Sequence, residues 1–191
     1  MRYRSYRGPS FSPLWVLIGA NILMFIATFI APKLVFLLGL LPAAFWDRPW
    51  TIVTSMFVHG GIWHVMANMF TLFFFGRYLS ALVGERRFLT VYFVGGIFGG
   101  IFYLLLAPPL SIAVGASGAV FAVAGALAVL RPKTRVFIFP IPVPLPLWVA
   151  IIGGFLVLSL FPNVAWQAHL GGLVVGLISG YFFRKRAHPF F

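Results

Sequence analysis

The chain has 191 residues, 62% of them hydrophobic and only 8% charged, with no cysteine and a formal net charge of +12. Soluble domains carry roughly 25% charged residues, so a water-soluble fold is excluded, as are disulfides and thiol chemistry. Repeated Pro and Gly and the length of each apolar run argue against a barrel of short alternating strands.

Taken in chain order, apolar runs predict spans at about 13–31, 62–80, 88–107, 113–130, 146–161 and 166–183. The expectation is an all-α polytopic membrane protein with six transmembrane helices forming one domain over residues 1–191. The first run follows Arg2, Arg4 and Arg7 as a signal peptide would. Its apolar core is too long for one, and no small-residue cleavage site follows, so it reads as a retained span. With the N-terminus in the cytoplasm, the cytoplasmic segments collect Arg2, Arg4, Arg7, Arg77, Arg86, Arg87, Arg131, Lys133, Arg135, Arg184, Lys185 and Arg186. Only Lys33 and Arg48 are left outside. Both termini are thus expected in the cytoplasm, with a prokaryotic plasma membrane as the location. The basic charge is assigned to the lipid bilayer and its anionic head groups, with no nucleic acid implied.

Between the first two spans, GLLPAAFWDRPWTIVTSMFVHGG (39–61) is too polar to cross a bilayer. Its Phe45, Trp46 and Trp50 favour the membrane interface, which predicts a structured loop lying partly in the outer leaflet. Further on, FPIPVPLP (139–146) alternates prolines that forbid a helix. An extended stretch is expected there, delaying the fifth span.

Polar groups inside membrane helices are costly and mark function by default. His64 and Asn68, four apart, share one face of the second span near its outer end. Ser117 begins the fourth span and His169 the sixth, again at their outer ends. His59, five residues before His64, stands at a helix entrance and reads as structural; His188 reads as a solvated tail residue. Small residues supply a reason for the groups to meet. Ala168, Gly172, Gly176 and Gly180 form a stripe on the sixth span; Gly118, Ala122 and Ala126 form another on the fourth. Such stripes let helix backbones approach closely in lipid, which would bring Ser117 and His169 within hydrogen-bond reach, as a serine nucleophile requires of its base.

Asp47 and Glu85 are the only acids, and their scarcity sorts the possible chemistries. An aspartyl mechanism needs two carboxylates sharing a proton; a zinc mechanism of the HExxH kind needs a glutamate beside its histidines. A three-histidine zinc site from His59, His64 and His169 stays open but has no acidic general base. Serine chemistry remains, as a Ser–His dyad with no metal or cofactor.

These residues resemble the rhomboid family of intramembrane serine proteases. The family pattern of two histidines and an asparagine on the second span is matched by His59, His64 and Asn68, its GxSG by GASG at 115–118, and its AH-xx-G-xxx-G by Ala168, His169, Gly172 and Gly176. The match runs from about 13 to 183. The resemblance implies Ser117 as nucleophile and His169 as general base. It also implies an oxyanion hole from the Ser117 N–H with His64 and Asn68, and transmembrane proteins as substrates. Gly118, Gly172, Gly176 and His59 are supporting residues, and Phe121, four after Ser117, is placed to stack on His169. Two departures stand out: Ser80 replaces a glutamate frequent on the inner part of the second span, and Thr51 follows Trp50 where Arg is frequent. Two alternatives are carried: a catalytically inactive relative that binds or escorts membrane clients, and a small transporter. The second is disfavoured because no charged residue lies mid-membrane.

Overall fold

The computed structural model describes residues 12–137 and 142–184. Arg2, Arg4, Arg7, Lys185, Arg186, His188 and the first part of the proline run, 139–141, lie outside the described residues.

Helix α1 (Pro13–Ile30) opens with proline at its first position, where the missing N–H costs nothing and φ is already helical. It buries Leu14, Leu17, Ile18, Asn21 and Thr28 on one face and leaves Trp15, Leu23, Phe29 and Ile30 outward. Asn21 is fully buried and donates to Leu17 O at 2.8 Å; Thr28 donates to Met24 O at 3.0 Å. Each polar side chain is thus turned back onto its own helix.

The predicted outer loop is structured. It contains α2 (Lys33–Leu38), a 3₁₀ turn (Pro42–Ala44), α3 (Thr51–Thr54) and a second 3₁₀ turn (Ser55–Phe57). The last carbonyls of a helix have no partner within it. Here side chains from 48–54 supply them: Arg48 Nη1 donates to Phe36 O, Trp50 Nε1 to Leu37 O at 3.4 Å, and Thr54 Oγ1 to Leu38 O at 2.8 Å. Arg48, two residues before Trp50, therefore anchors the loop, while Thr51 bonds locally to Arg48 O at 2.7 Å.

The second predicted span is one continuous rod, Ile62–Val83. It consists of α4 (Ile62–Thr71), a π-helical turn (Leu72–Gly76) and α5 (Arg77–Val83). Gly84, at φ 90°, reverses the chain directly into α6 (Glu85–Leu106). The linker expected at 81–87 is thus a single glycine, because Glu85 fits the electropositive first turn of α6 and Arg86 and Arg87 continue the helix. The guanidinium of Arg87 lies 5.7 Å from the centre of the Phe183 ring.

Helix α7 (Ser117–Leu130) forms the middle of the bundle. Every residue from Gly118 to Leu130 is buried except Phe121 and Val129. It starts at Ser117 rather than 113 because the preceding backbone is committed elsewhere. Leu40 and Ala113 exchange N–H···O bonds of 2.9 and 2.8 Å, and Gly115 N donates to Ser55 O at 2.9 Å. A two-stranded hairpin follows, β1 (Arg135–Val136) pairing antiparallel with β2 (Leu145–Pro146). Then come α8 (Leu147–Ser159) and α9 (Trp166–Phe183).

The core is a triad of α6, α7 and α9 whose backbones touch. A Cβ at Gly172 would run into the Gly118 carbonyl, one at Gly176 into that of Ala122, and one at Gly180 would sit 2.7 Å from Ala126 O. Helices α7 and α9 therefore run parallel, with the two small-residue stripes in contact. A third stripe, absent from the expectation, belongs to α6: Gly95 faces Ala122, and a Cβ on Gly99 would lie 2.7 Å from Ala168 O. Its signal was the spacing in GGIFGG (95–100). Helix α8 is packed differently, burying only Leu147, Ala150 and Ile151. Its Gly153 and Gly154 have nothing within 4 Å of a Cβ position.

Six spans are expected from the sequence. Among the described residues three helices are long and apolar enough to cross a membrane: Pro13–Ile30, Ile62–Val83 and Glu85–Leu106. Ser117–Leu130 and Leu147–Ser159 are apolar but shorter, and α9 begins with the polar Gln167 and His169.

The packing gives a paired test. Gly172→Val should lower the melting temperature in detergent by several degrees, since forcing side-chain volume into a filled contact costs about 1–3 kcal/mol or more. Gly153→Val should melt within a degree or two of the parent. Equal melting of the two variants would mean that α7 and α9 do not touch at Gly172.

Candidate active site

Parallel helices in fixed register carry their first turns to the same level. The contact of Gly118 with Gly172 sets Ser117, the first residue of α7, beside His169, in the first turn of α9. The Ser117 hydroxyl and His169 Nε2 are 2.8 Å apart. A hydroxyl at that distance from an imidazole nitrogen is the pairing that general-base activation requires. His169 is 5% exposed, and its Nδ1 is buried with no hydrogen-bonding partner in the structure. Among the described residues no carboxylate supports the ring from behind. Phe121 lies against it instead, with ring centres 4.6 Å apart and planes inclined at 31°.

The approach to Ser117 is a cavity of about 740 Å³. Ser117, His169, His64 and Asn68 all line it, and α4 and α8 form its opposite walls through Ala67 and Thr71 on one side and Ala150, Gly154 and Leu158 on the other. Asn68 is buried and donates from Nδ2 to His64 O at 2.9 Å, leaving its second N–H uncommitted to the helix. His64 is half-buried and points at the turn before α7. A Cβ on Gly115 would lie 2.8 Å from His64 Nε2 and 3.6 Å from Ser117 Oγ. Gly115 has φ 127°, a conformation that L side chains rarely adopt. The glycine thus serves twice, giving the turn its shape and the His64 ring its place. The Ser117 amide is one of the first-turn N–H groups that a helix leaves free.

His59 is buried outside this group. Its Nδ1 lies 3.2 Å from Phe57 O, and its ring meets that of His64 edge-on, centres 5.0 Å apart and planes at 69°. Burial, with the His64 ring alongside, pulls the His59 imidazole down to about 4, so it is neutral near pH 7. Among the described residues no group of three or more His, Asp or Glu is gathered closely enough to hold a metal ion. Of the three histidines that the sequence left open for zinc, His169 has its Nε2 on Ser117.

The structure therefore brings Ser117, His169, His64, Asn68 and Phe121 to one cavity, with Gly118, Gly172 and Gly176 in the helix contact behind it. Sequence reasoning missed Ser55, whose carbonyl fixes Gly115, and Leu40, whose bridge fixes Ala113. Neither position has a signature of its own, because in both cases the backbone makes the contact.

The chain is similar to known proteins over most of its length. The Rhomboid domain matches residues 47–186. Rhomboid protein 1, mitochondrial, of Saccharomyces cerevisiae is 30% identical over 145 residues, covering 71% of this chain and 42% of the yeast protein. RHOMBOID-like protein 1 of Arabidopsis thaliana is 36% identical over 138 residues, 72% of this chain and 35% of the plant protein. A Bacillus subtilis rhomboid chain, YdcA, is 30% identical over 134 residues, 69% of this chain and 66% of its own length. The chain thus spans less than half the length of the yeast and plant relatives. Mitochondrial and plant relatives beside a bacterial one leave the expected prokaryotic plasma membrane without support from kinship. The chain is a membrane protein of the rhomboid family.

Proposed function

We propose that the chain is a serine endopeptidase that cuts transmembrane proteins near the outer membrane boundary. The observation that carries this reading is the 2.8 Å contact of Ser117 Oγ with His169 Nε2, set in a cavity that His64 and Asn68 also line. Ser117 Oγ attacks the scissile carbonyl carbon while its proton passes to His169 Nε2. The oxyanion is met by the Ser117 N–H, His64 and Asn68, and His169 then protonates the departing amine. Water, with His169 as base, releases the acyl group from Ser117 in a second step.

Depth follows from helix length. The fourteen residues of α7 extend about 21 Å, against a hydrocarbon core of about 30 Å. With Arg131 and Lys133 at the inner boundary, Ser117 sits some 9–10 Å below the outer one. On this reading α7, α8 and α9 complete the six spans and both termini lie on the side of the basic residues. Helix α8, loosely packed along its outer half, is the element that yields to admit a substrate.

Ser117→Ala and His169→Ala should each abolish cleavage of a model transmembrane substrate, leave thermal stability near that of the parent, and prevent labelling by a serine-directed fluorophosphonate. Substantial cleavage by either variant overturns the dyad. An unlabelled, inactive parent protein would instead favour a relative that only binds membrane clients.

Asn68→Ala should keep weak activity and fluorophosphonate labelling, with a loss in kcat of about 10²–10³, the usual cost of one oxyanion donor. Full turnover with a lowered melting temperature would make Asn68 an ordinary helix contact.

Joining Ala67→Cys on α4 to Leu158→Cys on α8 with a bifunctional thiol reagent should stop cleavage of transmembrane substrates while fluorophosphonate labelling persists. The chain holds no other cysteine, so the bridge is unambiguous. Normal cleavage by the bridged protein would place the entrance elsewhere.

A further inference from the structure

We propose that the backbone N–H of Gly60 fixes the tautomer of His64, and so decides whether that imidazole presents a hydrogen or a lone pair to the reacting centre. The functional meaning rests on the serine-protease reading; the geometry does not.

Gly60 N lies 3.4 Å from His64 Nδ1, with its hydrogen directed at that atom. An amide N–H can only donate, so Nδ1 must supply a lone pair. A neutral imidazole carries its single hydrogen on the other nitrogen, which makes His64 the Nε2–H form. Nε2, with Cε1, is also on the edge of the ring turned toward Gly115, two residues before Ser117. The hydrogen is therefore aimed where a carbonyl oxygen attacked by Ser117 would gather charge.

The opposite tautomer would fail at both ends. Nδ1–H would confront Gly60 N–H, donor against donor. Nε2 would offer a lone pair to an oxyanion, repelling the charge it should stabilise. Nothing about the ring's position would change, yet the same residue would oppose the reaction.

His59 steadies the arrangement. The Phe57 carbonyl only accepts, so His59 Nδ1 carries a hydrogen and donates to it across 3.2 Å. The buried ring so held packs edge-on against His64, obstructing the flip that would exchange its two nitrogens. Space does not demand a glycine at position 60. A Cβ there would stand 3.9 Å from Val114 and 4.0 Å from His64 Nδ1, ordinary contact distances. What matters at this position is the amide hydrogen, which any residue but proline provides. Gly60 and His59 are thus positioning residues that act through His64.

The test uses the full chain with ¹⁵N-labelled histidine in detergent near pH 7. The His64 signals are identified by their loss in His64→Asn, and protonated and bare ring nitrogens have well-separated shifts. The parent protein should show bare Nδ1 and protonated Nε2 at His64. Gly60→Pro should shift that population toward Nδ1–H, while Gly60→Ala keeps it. Against a transmembrane substrate, kcat of Gly60→Pro should fall on the order of tenfold or more below that of Gly60→Ala, with little change in KM, as expected for a weakened oxyanion donor. A parent His64 protonated on Nδ1 overturns the proposal, and so does a Gly60→Pro protein that keeps both the parent tautomer and the kcat of Gly60→Ala. Should Gly60→Pro not fold, the parent spectrum alone decides. Should the chain prove to have no peptidase activity, the protease reading fails while the spectrum still tests the tautomer.

Discussion

The structure depends on one contact, backbone against backbone, between α7 and α9. In lipid there is no hydrophobic gain in driving helices together, so association rests on close packing. Gly118 against Gly172 and Ala122 against Gly176 bring the main chains to the nearest approach that side chains would allow. Because the two helices are parallel, that contact also sets their first turns level, and a serine and a histidine 52 residues apart in sequence meet at 2.8 Å. The third member, α6, closes the triad with glycines of its own against Ala122 and Ala168. Assembly and site geometry are thus one property of the same residues.

A site at the start of a buried helix raises a second demand. Buried backbone groups must be satisfied within the protein, and the extended segment before Ser117 has no helix to satisfy them. The outer loop does so. Leu40 pairs with Ala113 and Ser55 accepts from Gly115, while Arg48, Trp50 and Thr54 tie the loop to the end of α2. Loop and bundle therefore both hold the chain around Ser117. With the loop and three packed helices fixing the site, α8 is left with buried residues only at Leu147, Ala150 and Ile151.

Much of this was legible in the chain. The small-residue stripes at 118/122/126 and 172/176/180 foretold which faces touch, since spacing four on a helix is a packing statement. The lone hydroxyl in GASG and the histidine in QAHLGG are conspicuous because so little else in those helices is polar. Three features were not legible. The start of α7 moved inward from 113 to 117 because hydrogen bonds from residues some 60 to 75 positions away hold the backbone extended, and hydropathy does not register them. The linker at 81–87 contracted to Gly84 because charged residues read as loop, although Glu85 suits a helix start. The parts of Ser55 and Gly60 are played by a carbonyl and an amide, which every residue possesses.

The absence of a carboxylate behind His169 has a physical logic of its own. A serine-protease triad uses an aspartate to orient the imidazole and stabilise its charged form. Here the ring is 5% exposed within a membrane bundle, where a third, ionised partner would carry a heavy desolvation cost. Phe121 confines the ring from one side without charge, and the helix contact at Gly172 fixes its backbone. Among the described residues Nδ1 has no hydrogen-bonding partner. On the proposed mechanism a ring held by packing and by the Ser117 hydroxyl keeps Nε2 aimed at Ser117 through both the attack and the release of the acyl group. The stabilisation then comes from the oxyanion side of the cavity, where His64, Asn68 and the first turn of α7 converge.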